Sequence, residues 1–134
     1  MEIAGIENQE LVIAHFGQWP AFHDAEIVSI LFERAEQGYW PVISLKIYTV
    51  GGFDRKTSTA AKHCLIELLF AGVQDHELAG FNHQNVVFSI DFTKVGNLIM
   101  CDIEPCYGVS GYIAAERVVV ESVSLLDGNP RPLL

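Results

Sequence analysis

The side chains with the most chemical potential lie in two short polar stretches. The first is Gly-Gln-Trp-Pro-Ala-Phe-His-Asp-Ala-Glu, Gly17 to Glu26, which offers His23, Asp24 and Glu26. The second is Phe81-Asn82-His83-Gln84-Asn85. A histidine–aspartate doublet is the signature of some metal-dependent phosphohydrolases. That chemistry requires further His and Asp ligands converging on the metal from helices, and the chain around His23 reads as strands. A metal site built from His23, Asp24 and Glu26 alone also fails on direction. In an extended segment His23 points away from the face shared by Asp24 and Glu26. The residue types favour a structural use, with Asp24 capping loop N–H groups and His23 bonding nearby. Asn82 and Asn85 offer hydrogen bonds without charge, which suits turn capping first and a binding surface second.

Nucleophilic chemistry finds no better footing. Cys64 follows His63, but neighbours on a strand face opposite ways. Ser110, in Gly108-Val109-Ser110-Gly111, lacks the strand–turn–helix setting of a nucleophile elbow. No phosphate-binding glycine motif occurs. Neither catalytic residues, a metal nor a cofactor is expected.

Around these residues stands a chain of 134 residues, enough for one domain with its own core. Half of it is apolar and 19% is charged, too hydrophobic for disorder. The apolar runs are short and broken by charges, so none reads as a membrane span. The start, Met-Glu-Ile-Ala-Gly-Ile-Glu-Asn, lacks the basic and apolar regions of a signal peptide, and a cytoplasmic protein is expected. Eight basic against seventeen acidic residues give a net charge of −9. Nucleic acid binding needs a basic footprint; an acidic chain suits plain solubility or a basic protein partner. The three cysteines, with no CxxC spacing, read as reduced thiols.

The elements that must position the polar stretches follow from periodicity. Asn8 to Phe16 reads as a short helix, capped by Asn8, stopped by Gly17 and docked through Leu11 and Phe16. Trp19, held extended by Pro20, and Phe22 are large enough to demand burial. Glu26–Arg34 reads as a strand with Val28, Ile30 and Phe32 inward, and Val42–Val50 as one with Ile43, Leu45 and Ile47 inward. Gly51–Ala60 reads as a polar flexible loop. Lys62–Ala71 reads as a strand showing Cys64, Ile66, Leu68 and Phe70 on one face, with a helix as the alternative. Val73–Phe81 reads as a connection with one helical turn. Asn85–Lys94 reads as a strand with Val86, Phe88, Ile90 and Phe92 on one face. A tight turn at Val95-Gly96-Asn97 leads to a strand Leu98–Glu104, which Pro105 ends. The last strand, Tyr112–Leu125, is long and bent or bulged near Glu116-Arg117, before an irregular tail. The sum is a mainly β single domain: about six antiparallel strands in a curved sheet or sandwich, with one short N-terminal helix.

The order of motifs carries a resemblance. Trp-Pro-Ala-Phe-His-Asp-Ala-Glu leads into a strand. Leu65-Ile66-Glu67-Leu68-Leu69-Phe70-Ala71-Gly72-Val73 follows, then Gly80-Phe81-Asn82-His83-Gln84-Asn85, then a closing hairpin with Tyr107-Gly108. Over residues 12 to 125 the chain resembles the immunity protein 50 family, predicted immunity proteins of bacterial polymorphic-toxin systems. The resemblance implies a small cytoplasmic protein without enzymatic activity that binds and blocks a cognate toxin domain; a monomer or homodimer is expected. It carries over no catalytic residues. Under that reading Trp19, Phe22, His23, Asp24, Glu26, Phe81, Asn82 and Asn85 are structural or binding residues. Glu67, Asp75, Glu77 and Asp91, near the second polar stretch in sequence, are candidates to face the toxin. Two other readings stand beside it: a ligand-binding or regulatory β-domain with a pocket near Trp19, His23 and Asn82, and a hydrolase using His23 and Asp24.

Overall fold

A computed structural model describes residues 5–51 and 62–126. The expected loop Gly51–Ala60, beyond Gly51, and the tail from Asp127 lie outside the described residues. A two-residue strand, β1 (Ile6–Glu7), precedes the helix α1 (Glu10–Phe16). Six long strands follow: β2 (Glu26–Glu33), β3 (Val42–Gly51), β4 (Lys62–Ala79), β5 (Val86–Val95), β6 (Leu98–Tyr107) and β7 (Ser110–Leu125). They form one sheet in the order β1-β7-β4-β3-β2-β5-β6, and β6 pairs again with β7. The pairings therefore run in a ring, and every long strand has a partner on both sides over part of its length.

The inner face is built from apolar rows that cross four strands in register. Ile27, Ile47, Ile66 and Val123 make one row; Ile30, Leu45, Leu68 and Val120 the next; Phe32, Ile43, Phe70 and Val118 a third. Directly opposed side chains on one face are the unit of sheet stabilisation, and Ile27, Leu45, Ile47, Ile66, Leu68 and Phe70 are fully buried. The predicted inward face of β3 matches this. In β2 a bulge between Ile27 and Ser29 gives Val28 no opposite partner. Ile27, not Val28, is thus the buried residue, because one extra residue flips the alternation. Bulges between Val86 and Ser89 do the same in β5. Val87 turns inward with Ile90, and Phe88 is half exposed instead of sharing their face.

β1 is not in the sequence pattern, β7 begins two residues earlier than expected, at Ser110, and three further boundaries differ for reasons the structure shows. β4 does not stop at Ala71; it runs 18 residues to Ala79, so the expected connection at Val73–Phe81 is mostly strand. Gly72, with φ +64 opposite Glu116, and a bulge before Asp75 let the strand bend and continue. β6 passes through Pro105 to Tyr107, with Pro105 opposite Val87 at an irregular register, the kind of place where a ladder tolerates proline. α1 begins after Gln9, since Asn8 takes φ +61. The helix docks through Val12, fully buried, with Phe16 half-buried and Leu11 exposed. Gly17 closes it at φ +79, donating its N–H to Ile13, as a left-handed C-terminal glycine does. The tight turn at Gly96-Asn97 joins β5 to β6, with Val95 opposite Leu98.

Candidate functional site

The ring has one weak seam. β2 and β5 share a single register pair, Glu26 with Val86. Three backbone bonds supplement it: Asp24 N–H to Val87 O at 3.0 Å, Val87 N–H to Ala25 O at 2.9 Å and Ile27 N–H to Asn85 O at 2.9 Å. The two polar stretches thus meet here, 59 residues apart in sequence. The Asn85 backbone N–H reaches Glu26 Oε2 at 3.4 Å. Asn85 Oδ1 accepts from the N–H groups of Asn82 (3.0 Å) and Val109 (3.2 Å), and its Nδ2 donates to Asn82 O at 2.9 Å. Glu26 and Asn85 are 7% and 2% exposed. Capping, the structural use the sequence favoured for this stretch, describes Asn85 and Asn82.

The entry loop is anchored by its aromatics. Trp19 meets the ring edges of Phe22 and Phe92, each with centroids 5.7 Å away, and Phe92 stacks on Phe70. Trp19 and Phe22 are buried as predicted, and Trp19 Nε1 is buried without a hydrogen-bond partner. Phe22 and Asp24 take φ +63 and +67, a costly left-handed conformation for residues with a Cβ. The segment is therefore a turn, not the extended chain on which the direction argument rested, and His23 Nε2 comes within 3.7 Å of Asp24 Oδ1. Both side chains are well exposed. His23 donates Nδ1–H to Phe88 O at 3.1 Å. The tie expected of Asp24 falls to Glu26 and Asn85. Among the described residues, no three His, Cys, Asp or Glu side chains converge to hold a metal. His63 bonds the hydroxyl of Tyr48 at 2.6 Å while Cys64 is buried on the inner face, so the adjacent pair does not form a dyad.

Among the described residues, Trp19, His23 and Asn82 do not share one of the three clefts at the polar stretches. Trp19 lines a cleft with Pro20, Ile90, Asp91 and Phe92, and His23 lines another with Phe16, Phe22 and Thr49. Asn82 lines neither, and the exposed Phe81 borders a third with Phe32 and Leu78.

The outer face carries a different constellation. Glu77 on β4 stands opposite Tyr112 on β7, Tyr112 opposite Asp102 on β6, and Asp102 opposite Asp91 on β5. Opposed residues share a face, so the row crosses four strands. Asp75 flanks it and accepts the Tyr112 hydroxyl at 2.9 Å; Glu104 lies two residues from Asp102. All five carboxylates are exposed, and among the described residues no Lys or Arg is within ion-pair distance of any of them. Tyr112 is pushed above its ordinary pKa, first by its bond to Asp75 and then by desolvation and the charges of Asp75 and Glu77. The Cys101 thiol is pushed up by burial, with Asp102 and Asp91 adding to it.

Of the four predicted acidic residues, Glu77 and Asp91 belong to this row and Asp75 flanks it. Glu67 does not: it stands opposite Lys46. Sequence reasoning missed Asp102, Glu104 and Tyr112. Alternation marks Asp102 and Glu104 as outward, but nothing local reveals which strands lie beside β6.

A model of the family described as "Immunity protein 50" matches residues 8–126. The chain belongs to the immunity protein 50 family. No curated protein and no solved structure matches it significantly. The stretch matched to the family holds both the seam and the acidic row.

Proposed function

We propose that this chain is a non-catalytic immunity protein that binds and neutralises a toxin domain in the cytoplasm of the cell that makes it. The observation that carries the reading is the family match over residues 8–126. The outer face supports it. Five exposed carboxylates with no Lys or Arg within ion-pair distance among the described residues, on a chain of net charge −9, make a surface suited to a basic protein. Such a surface steers encounter and raises the association rate. The seam residues act as scaffold, because their polar atoms are engaged within the chain.

The partner to test is the C-terminal domain of a large secreted protein encoded beside this gene. Co-expression with this chain is expected to protect cells that the domain alone kills. Stopped-flow mixing is expected to show an association rate that falls steeply with salt, since screening shortens the reach of exposed charges to about 8 Å at physiological ionic strength. Dissociation should change little. A domain that still kills in the presence of the chain would sink the proposal.

A further inference from the structure

The cleft at Trp19 lies where the acidic row reaches β5. It is lined by Gln18, Trp19, Pro20, Ala21, Ile90, Asp91 and Phe92, is open to solvent on one side and has a volume of about 300 Å³. It exists because β2 leaves β5 after the one pair Glu26–Val86, and the entry loop takes over the exposed edge. That cover ends at a long bond, Ile90 N–H to Ala21 O at 3.5 Å. Loop and strand part there, and the gap keeps walls from Trp19, Pro20, Ala21, Ile90 and Phe92, with Gln18 and Asp91 as its polar side chains.

We infer that this cleft is a socket for an arginine side chain of the partner protein, with Asp91 taking the guanidinium and Trp19, Pro20 and Phe92 lining its stem. The inference rests on the proposed protein-binding function and says where an anchor of that partner sits. Each feature of the cleft fits one part of that side chain. A long apolar stem ending in a cation covers hydrophobic surface while its head stays at the rim. The planar guanidinium matches a carboxylate with two parallel bonds and tolerates aromatic neighbours better than an ammonium does. Asp91 Oδ2 takes one bond from Ser89 Oγ at 2.9 Å, which orients the carboxylate and leaves other lone pairs open. Asp102, directly opposite, adds a second negative charge. The volume is at the bottom of the range for small-molecule sites, roughly 300–1,000 Å³, which suits one side chain. Arginine is also a favoured anchor in protein interfaces.

The test needs no partner. The full chain, labelled with ¹⁵N, is titrated with N-acetyl-arginine amide, and in parallel with the neutral isostere N-acetyl-citrulline amide and with N-acetyl-lysine amide. Saturable shifts are expected at the Trp19 indole N–H and the amides of Ile90 to Phe92. Asp91→Asn, an exposed change, should weaken the affinity about tenfold, the size of one charge-assisted bond. The idea is overturned if arginine amide causes no saturable shift, if citrulline amide or lysine amide binds as tightly, or if Asp91→Asn binds unchanged. Its failure is distinguishable from failure of the immunity reading. A toxin domain that associates with the chain while arginine amide does not bind removes the socket alone. A toxin domain that does not associate removes the immunity function, and the titration still decides the socket.

Discussion

Asn85, at the seam, and Asp102, on the outer face, are both polar residues beside β5, one just before it and one across from Asp91, and they behave in opposite ways. Asn85 is 2% exposed, and its side chain accepts two backbone N–H groups and donates to a carbonyl. Asp102 is exposed and has Asp91 and Tyr112 as its cross-strand neighbours. A buried polar group is costly unless it is bonded, so the seam's polar residues are fixed by folding. Like charges opposed on a surface are mildly destabilising, so folding does not call for the outer row. What stability does not require is free to serve a partner. That contrast, more than the identity of any one residue, separates scaffold from candidate surface.

Changes at the seam should cost folding. The largest effect is expected at Trp19. Trp19→Ala should lose about 3–5 kcal/mol in urea unfolding, the range for emptying a buried aromatic. Trp19→Phe should lose clearly less, because it also removes the buried, unpartnered Nε1–H. Equal losses for the two would mean that the indole nitrogen is bonded after all.

Asn85→Ala comes next, at about 2–4 kcal/mol, since it strands two N–H groups and each unsatisfied donor costs roughly 1–3 kcal/mol. Gly108→Ala should damage the same place, because a Cβ there would meet Gln84 O and lie 2.6 Å from Asn85 Oδ1, at φ +93. A loss under about 1 kcal/mol for both, the size of an ordinary surface change, would erase the contrast with the outer face.

Neutralising the row reverses the pattern. The triple change Glu77→Gln, Asp91→Asn and Asp102→Asn should leave stability within about 0.5 kcal/mol or raise it slightly. The same variant should associate more slowly with a basic partner and lose much of the salt dependence. Glu67→Gln, removing a charge that faces Lys46, is the control and should leave association unchanged. Full protection of cells by the triple variant, with association unaltered, would take the row out of the interface.

The smallest effect is a titration. Tyr112 is raised by its bond to Asp75, so its phenol should ionise above the ordinary value of about 10. The sign follows: the bond favours the protonated phenol, so its contribution is complete below that value and fades as pH rises through the shifted one. Absorbance titration should show the shift, and Asp75→Asn should reduce it. An unshifted Tyr112 would mean that Asp75 and Tyr112 do not hold each other on the row.

How much of this was legible beforehand depends on range. Residues that alternate without interruption read correctly: Ile43, Leu45 and Ile47 in β3, and Cys64, Ile66, Leu68 and Phe70 in β4, are buried on one face, because a strand's period is local. Gly17 and Gly96 were readable as stops for the same reason, since a positive φ at a glycine is a property of that residue. Burial of Trp19 and Phe22 followed from size. The mainly β class followed from the sum of such signals, and the family from the order of short motifs.

Tertiary structure decided the rest. The bulges that put Ile27 and Val87 inward arise from matching one strand to its neighbour, which no single strand encodes. β4 runs past Gly72 because β7 pairs with it on both sides of that glycine. The meeting of Glu26 with Asn85, and the row Glu77, Tyr112, Asp102, Asp91, exist only once the ring has closed. Sequence proximity grouped Glu67 with the other acids, whereas register set it against Lys46. Composition determined the charge of this protein; strand pairing determined where that charge gathers, because lateral neighbours in a sheet are chosen by topology and not by separation along the chain.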